Sequence, residues 1–296
     1  MCILFWTVDN HPKYNFIFAG NRDEFLGRPT QPAHIWSETP NDSTGTTKVI
    51  GGTDLEAEES SHNGTWLGMT TNGRLAALTN FREPKYQGMR SRGVLARDFL
   101  LGSEDVNDYM HRLQQNADQY GGYSLICFDL LHQDMAYISN RDPEDQILPL
   151  ASGQIYGLSN SVLANPWTKV KQGQQEMEAI LQNDTLDEDL LIESLFQLLR
   201  DTKPINNDND LTQIMADLKE RIFIPKFAYT GFGNNACYAT RTSTVVLVDK
   251  QNKVTFVERD WFELDDSGDK NSYRECSPPK NRSFIFHLNN SDIIVQ

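Results

Sequence analysis

Apolar positions fall in short, dense runs along this chain, and most of those runs alternate or cluster in the manner of strands. Residues 2–8 (CILFWTV) and 14–19 (YNFIFA) are rich in aliphatic and aromatic residues, with turn-forming residues 9–12 between them. They predict a hairpin whose far end brings Asn21, Arg22, Asp23 and Glu24 back towards Cys2. Residues 28–48 carry Pro29, Pro32 and Pro40 among much Ser and Thr, and predict an extended loop anchored by Trp36. Residues 49–52 predict a brief strand, and the acidic, aperiodic residues 53–63 an exposed loop. Residues 64–70 and 74–79 form a second hairpin across Asn72-Gly73, a strong turn signal. Residues 91–101 set Val94, Leu95, Phe99 and Leu100 on one helical face, and Ser103 is the candidate cap for a helix running to 113.

The second half repeats the alternation of strands and helices. Residues 123–131, 135–139 and 155–158 predict strands, the last leading into Ser159-Asn160. Residues 166–181 and 186–200 predict two helices, with Pro166 suited to a first turn. Residues 201–212 read as a polar loop, and a short helix follows near 211–221. Residues 239–249 (ATRTSTVVLVD) are the strongest strand signal, with 254–258 as partner. Residues 265–283 are polar and read as irregular or disordered, and 284–287 as a last strand. Blocks of strands alternating with helix pairs predict an α+β class, built as one domain over 1–296.

Composition narrows the function classes. A length of 296 residues with 39% hydrophobic and 10% aromatic content is a packed globular chain. A formal net charge of −14 argues against a nucleic-acid partner or an anionic membrane surface. No apolar run approaches the ~20 residues of a spanning helix. The start of the chain has neither the basic region nor the apolar length of a secretion signal. Cys2, Cys127, Cys237 and Cys276 have no paired spacing and the six histidines are scattered, so no metal site or haem-attachment motif is expected, and the compartment reads as reducing. There is no GxGxxG and no GxxxxGK[ST] to support a nucleotide.

The candidate chemistry starts at Cys2. Its small side chain favours removal of Met1, which would put an α-amine and a thiol on one residue. The thiolate is the reactive form, and an amine with an ordinary pKa of ~7.7–8.0 is suited to take the thiol proton. On position alone, Cys2 also reads as a small buried residue starting a strand.

The segments MCILFW, FAGNRDEFLGRPT, GTWLGMTTNGRLAALTNFR, SRGVL, YGLSN, NPWTKV and ATRTSTVVLVD, taken in order, resemble the NRDE family, also called the transport and Golgi organisation protein 2 family. The resemblance runs from Cys2 to about residue 258. That family is similar in turn to the N-terminal nucleophile hydrolases, which implies an αββα sandwich and a hydrolase acting on an amide or acyl-thioester bond. By the pattern of the cysteine amidases in that group, Cys2 is the nucleophile, and Arg22, Asp23, Asn80, Asn160 and Arg241 complete the site. Neutral Asn amides are suited to a developing oxyanion, an Arg to the thiolate, and a carboxylate to orienting the amine.

The chain departs from this pattern in two places. The amidases separate their Arg and Asp by two residues, a spacing that Asn21 and Glu24 have here and Arg22 and Asp23 do not. On a strand Asn21/Asp23 and Arg22/Glu24 point to opposite sides, so the spacing leaves open which pair faces the thiol. Asn63-Gly64, preceded by acidic residues 56–62, stands where the family has Gly-Gly, in a loop expected to border the site. Trp66 and Trp167 are candidate pocket walls or core. The rival function is a binding or trafficking factor on the same fold, handling haem without covalent attachment, or lipid or acyl-CoA. The expected partner is a small-molecule or acyl substrate, and the expected location is the cytoplasm with Golgi or mitochondrial association.

Overall fold

The computed structural model describes residues 2–37, 46–56, 63–81, 83, 89–144, 146–202, 211–228, 237–267 and 272–296. Two antiparallel sheets lie face to face. The first contains β1 (Ile3–Val8), β2 (Tyr14–Phe25), β10 (Ile155–Leu158), β11 (Phe227–Ala228), β12 (Cys237–Asp249), β13 (Lys253–Leu264), β14 (Tyr273–His287) and β15 (Ile294–Val295). Its order is β10-β1-β2-β12-β13-β14-β15, with β11 beside β12. The second contains β3 (Thr30–Ile35), β4 (Val49–Asp54), β5 (Leu67–Thr70), β6 (Arg74–Asn80), β7 (Tyr123–Asp129), β8 (Asp134–Ser139) and β9 (Leu148–Pro149), in sequential order.

Strand alternation builds the layers. Leu4, Trp6, Phe16 and Phe18 point from the first sheet onto Ile50, Met69, Leu75 and Phe128 of the second. Ile3, Phe5, Ile17 and Ala19 point the other way, onto Met177, Leu195 and Leu199 of helices α3 (Thr168–Leu181) and α4 (Glu188–Leu199). Being buried on both faces is why these strands read as nearly continuous apolar runs. Gly173 lets α3 lie directly on β1, since a Cβ there would stand 2.1 Å from the Phe5 ring. Across the molecule α1 (Gly93–Leu101) and α2 (Val106–Gln114) cover the outer face of the second sheet through Leu95, Phe99, Tyr109 and Met110. The result is an αββα sandwich, with a further helix, α5 (Leu211–Glu220), packed beside α3. No helix among the described residues is long and apolar enough to cross a membrane.

Several sequence expectations are corrected. The Asn21–Glu24 run is not a segment after the hairpin but the continuation of β2, because β12 supplies hydrogen-bonding partners as far as Phe25. The loop expected over 28–48 contains β3, whose edge position tolerates Pro32. The cap of α2 is Asp105, whose carboxylate accepts from the Asp108 amide at 2.8 Å, rather than Ser103. Pro166 lies outside α3, whose N-cap is Trp167. Of the segment expected to be irregular, residues 273–283 form the first part of β14, and 268–271 lie outside the described residues. Its polarity follows from burying few positions near the sheet edge. Most of the acidic loop at 56–62 and of the polar loop at 201–212 also lies outside them.

Candidate functional site

The end of the first sheet where β1 begins collects most of the expected residues. Ile3 pairs with Asn21 and Leu4 with Leu158, so the two registers carried past the strand start bring Cys2 beside Arg22 on one side and Asn160 on the other. The Ser159 hydroxyl donates to the Cys2 carbonyl at 2.7 Å, and the Thr79 hydroxyl donates to the Ser159 carbonyl at 2.8 Å. These bonds tie the end of β6, in the second sheet, to the chain start. Asn160 is buried and its Nδ2 donates to the carbonyl of Asn80, the exposed last residue of β6, while its buried Oδ1 has no hydrogen-bond partner among the described residues.

Strand parity sorts the polar run of β2. Asn21 faces the helices and is fully engaged. Its Nδ2 donates to the carbonyls of Leu199 at 2.8 Å and Ile222 at 3.0 Å, and its Oδ1 accepts from the Ser243 hydroxyl at 2.5 Å. Asn21 therefore locks the end of α4 to the sheet and is a structural residue. Glu24 accepts from the Phe25 amide and lies 3.7 Å from Arg28. Arg22 turns to the opposite face from Asn21 and Asp23, and the charges of Arg22 and Asp23 act on the Cys2 thiol in opposite directions.

Arg22 is 4% exposed. Its guanidinium lies 3.9 Å over the Trp66 ring and 3.8 Å from the Asp54 carboxylate, and Nη1 has no hydrogen-bond partner among the described residues. The Trp66 ring has room because Gly52 lies against it, where a Cβ would stand 2.2 Å from the ring edge. Burial pulls the Arg22 pKa down, while Glu24 and Asp54 hold it up. Asp23 is equally buried, and Thr240 donates to its Oδ1 at 2.6 Å. Burial raises its pKa; the amino terminus, Lys169 and the Thr240 hydroxyl pull the other way. The Cys2 thiol is likewise pushed up by burial. The amino terminus, the Asp23 main-chain amide and Arg22 oppose that, and the Asp23 charge adds to it.

Arg241 reaches this region through an irregularity. β12 carries an extra residue between Thr240, opposite Asp23, and Thr242, opposite Arg22. A bulge of this kind re-aims a side chain. Arg241 turns towards the second sheet, next to Arg22, and its Nη1 donates to the Arg28 carbonyl at 2.7 Å and the Thr30 hydroxyl at 3.3 Å. It lines a cavity of about 70 Å³ with Trp66, Thr242, Glu258 and Asp260. Its hydrogen bonds thus go to the strand crossing rather than to the Cys2 sulfur. A second cavity, of about 40 Å³, lies at the other end of β1 around Val8, Phe128 and Leu130. Among the described residues no group of His, Cys, Asp and Glu is arranged to hold a metal.

Lys169 was not expected from the sequence. It is 0% exposed, and its side-chain nitrogen has no hydrogen-bond partner among the described residues. The readable signal was its place on the buried stripe of α3 with Gly173 and Met177.

Residues 1–263 match the family described as Transport and Golgi organisation 2. The chain is similar to the mouse "Transport and Golgi organization 2 homolog", 34% identical over 277 residues covering 90% of this chain and 95% of the relative. It is also similar to the human "Transport and Golgi organization protein 2 homolog", 34% identical with 90% and 95% covered. Among solved structures it resembles penicillin V acylase from Agrobacterium tumefaciens, with a TM-score of 0.43 and 14% identity over 95% of this chain and 90% of that one.

Proposed function

The chain belongs to the Transport and Golgi organisation 2 family, and from that premise we propose that it is a cysteine hydrolase of the N-terminal nucleophile kind, cleaving an amide or an acyl thioester through Cys2. The observation that supports this reading is that the β1 registers put Cys2 beside buried Arg22 and buried Asn160, with buried Asp23 next in β2. Loss of Met1 frees the α-amine of Cys2. With Asp23 beside it, that amine takes the thiol proton, and the sulfur attacks the substrate carbonyl carbon. A C–S bond forms as the carbonyl π pair moves onto oxygen, where the Asn80 and Asn160 amides are the candidate donors. The ammonium returns its proton to the leaving amine or thiol as that bond breaks. Water then cleaves the acyl–cysteine, releasing the acid and restoring the thiol. The Arg22 guanidinium favours the sulfur anion throughout. The names of the relatives support a role in secretory transport, which we place in the cytoplasm in association with the Golgi.

Intact-mass analysis after exposure to a panel of acyl thioesters and amides tests the reading. The expected outcome is a mature chain lacking Met1, with one acyl adduct that maps to Cys2. Cys2→Ala is expected to lose the adduct and at least ~10²-fold in turnover. Retained Met1, or undiminished turnover in Cys2→Ala, overturns it.

A further inference from the structure

Resting on the Cys2 reading, we propose that Trp66 is a positioning residue of this site: its ring face holds the Arg22 guanidinium beside Cys2 without neutralising it, so the charge is kept for the sulfur. The contact is direct. The guanidinium carbon lies 3.9 Å over the centre of the Trp66 ring, and Arg22 is the residue that the β1–β2 register, carried one step past Ile3, sets beside Cys2. Stacking on an aromatic face fixes the plane of a guanidinium and leaves its N–H groups unspent.

Two other buried arginines show what a structural stack looks like. Arg74 lies at the same 3.9 Å over the Phe99 ring, but its Nε and Nη2 also donate to the Phe99 carbonyl, at 3.3 and 3.0 Å. Arg259 stacks on Phe196 at 4.0 Å and forks onto Glu193 at 3.1 and 2.7 Å. Arg22 has no such anchor. Its Nη1 has no hydrogen-bond partner among the described residues, and the Asp54 carboxylate stands off at 3.8 Å. That carboxylate is committed elsewhere: Oδ2 accepts from Arg28 at 2.9 Å and Oδ1 from the Glu56 amide at 3.1 Å.

The ring is fixed in its turn by the main chain. The Leu78 amide donates to the Trp66 carbonyl at 2.9 Å, and the adjacent Thr65 hydroxyl donates to the Gly52 carbonyl at 2.7 Å. Gly52 takes the ring edge where no side chain would fit. The other charged groups around the stack are engaged. On β2, Glu24 accepts from the Phe25 amide and lies 3.7 Å from Arg28. On β12, Arg241 donates to the Arg28 carbonyl, and on β13, Asp260 is bridged by Arg282. The charges that act on Cys2 itself are the amino terminus, Asp23, Arg22 and Lys169, and of these Trp66 touches Arg22. Without the ring face the guanidinium is free to swing away from the sulfur. The thiolate then loses a neighbouring cation, and a smaller share of Cys2 is ionised at neutral pH.

The test is the rate of Cys2 alkylation by iodoacetamide as a function of pH, read by mass spectrometry on the full chain. Trp66→Leu is expected to move the profile up by about one pH unit, about tenfold slower near pH 7. Trp66→Phe keeps a ring face and is expected to restore most of the rate. In an Arg22→Met background, Trp66→Leu is expected to add no further shift, because no guanidinium is left to hold. An unchanged profile in Trp66→Leu, or a shift that persists in full without Arg22, overturns this inference and leaves the hydrolase reading standing. A Cys2 that alkylates like an ordinary thiol in the unsubstituted protein overturns both. Circular dichroism checks that the variants fold, and Trp66→Met is read in place of a Leu variant that does not. If both unfold, the ring is a core element and the inference is again overturned.

Discussion

Adjacent residues on β2 do opposite work because a strand turns successive side chains to opposite faces. Asn21 spends its whole amide on Leu199, Ile222 and Ser243, while Arg22 keeps a buried nitrogen unbonded above Trp66. Asn21→Ala should therefore act on stability: it strands two buried carbonyls, and urea unfolding should show a loss of about 2–4 kcal/mol. The slow step of any Cys2 chemistry should change far less. The sequence names the residue types at this site but not their directions. Spacing alone allowed either Asn21/Glu24 or Arg22/Asp23; the β1–β2 register, carried one residue past Ile3, sets Arg22 beside Cys2, while Asn21 is spent on the helix side. Lys169 was illegible for a different reason. A lysine in a helix reads as solvated, and only the burial of Val170, Gly173 and Met177 around it shows that this one is not.

At the level of single elements, the strands that could be read were those buried on both faces. β14 was not, because its polar positions are satisfied across the sheet instead of by water. Arg282 on β14 bridges Glu258, at 2.6 Å, and Asp260, both on β13, and Glu258 also accepts from the Ala33 amide of β3 at 2.8 Å. This carboxylate, 1% exposed, fastens the two sheets together beside the Arg241 cavity. Burial raises the Glu258 pKa, and the Arg282 charge and the Ala33 amide oppose that. Arg282→Met leaves it uncompensated. The expected loss is about 3–5 kcal/mol by chemical denaturation. Replacing Glu258 by Gln in the same background should recover part of it, because the amide carries no charge. The bulge at Arg241 had no sequence mark at all; it is a property of how β12 meets β2.

For the whole molecule, the hairpins between neighbours in sequence were legible, and the αββα layering came from the family resemblance rather than from periodicity. What no local pattern could show is the seam between β2 and β12 at the centre of the first sheet. The acidic excess of the chain also acts at this scale. Tyr14, at the open end of β2, is pushed up to about 12, first by burial and then by Glu188, Asp249, Asp187 and Asp189. An unfolded tyrosine loses its proton near 10, so between about 10 and about 12 the unfolded chain binds fewer protons than the folded one. Its contribution to stability is complete below pH 10 and is lost as pH rises through that window. Melting temperatures measured from pH 9 to 12 should fall less steeply for Tyr14→Phe than for the parent.

The same seam sets an order of events in time. Asp23 and its hydroxyl partner Thr240 are 217 residues apart in sequence. At ~5–20 residues per second, a ribosome needs about 10–40 s to deliver the second after the first. Throughout that interval the first sheet has no central strand, and the amino end of the chain stays open to any enzyme that trims it. Any trimming of Met1 would thus precede folding, and the sheet would close over whatever terminus it is given.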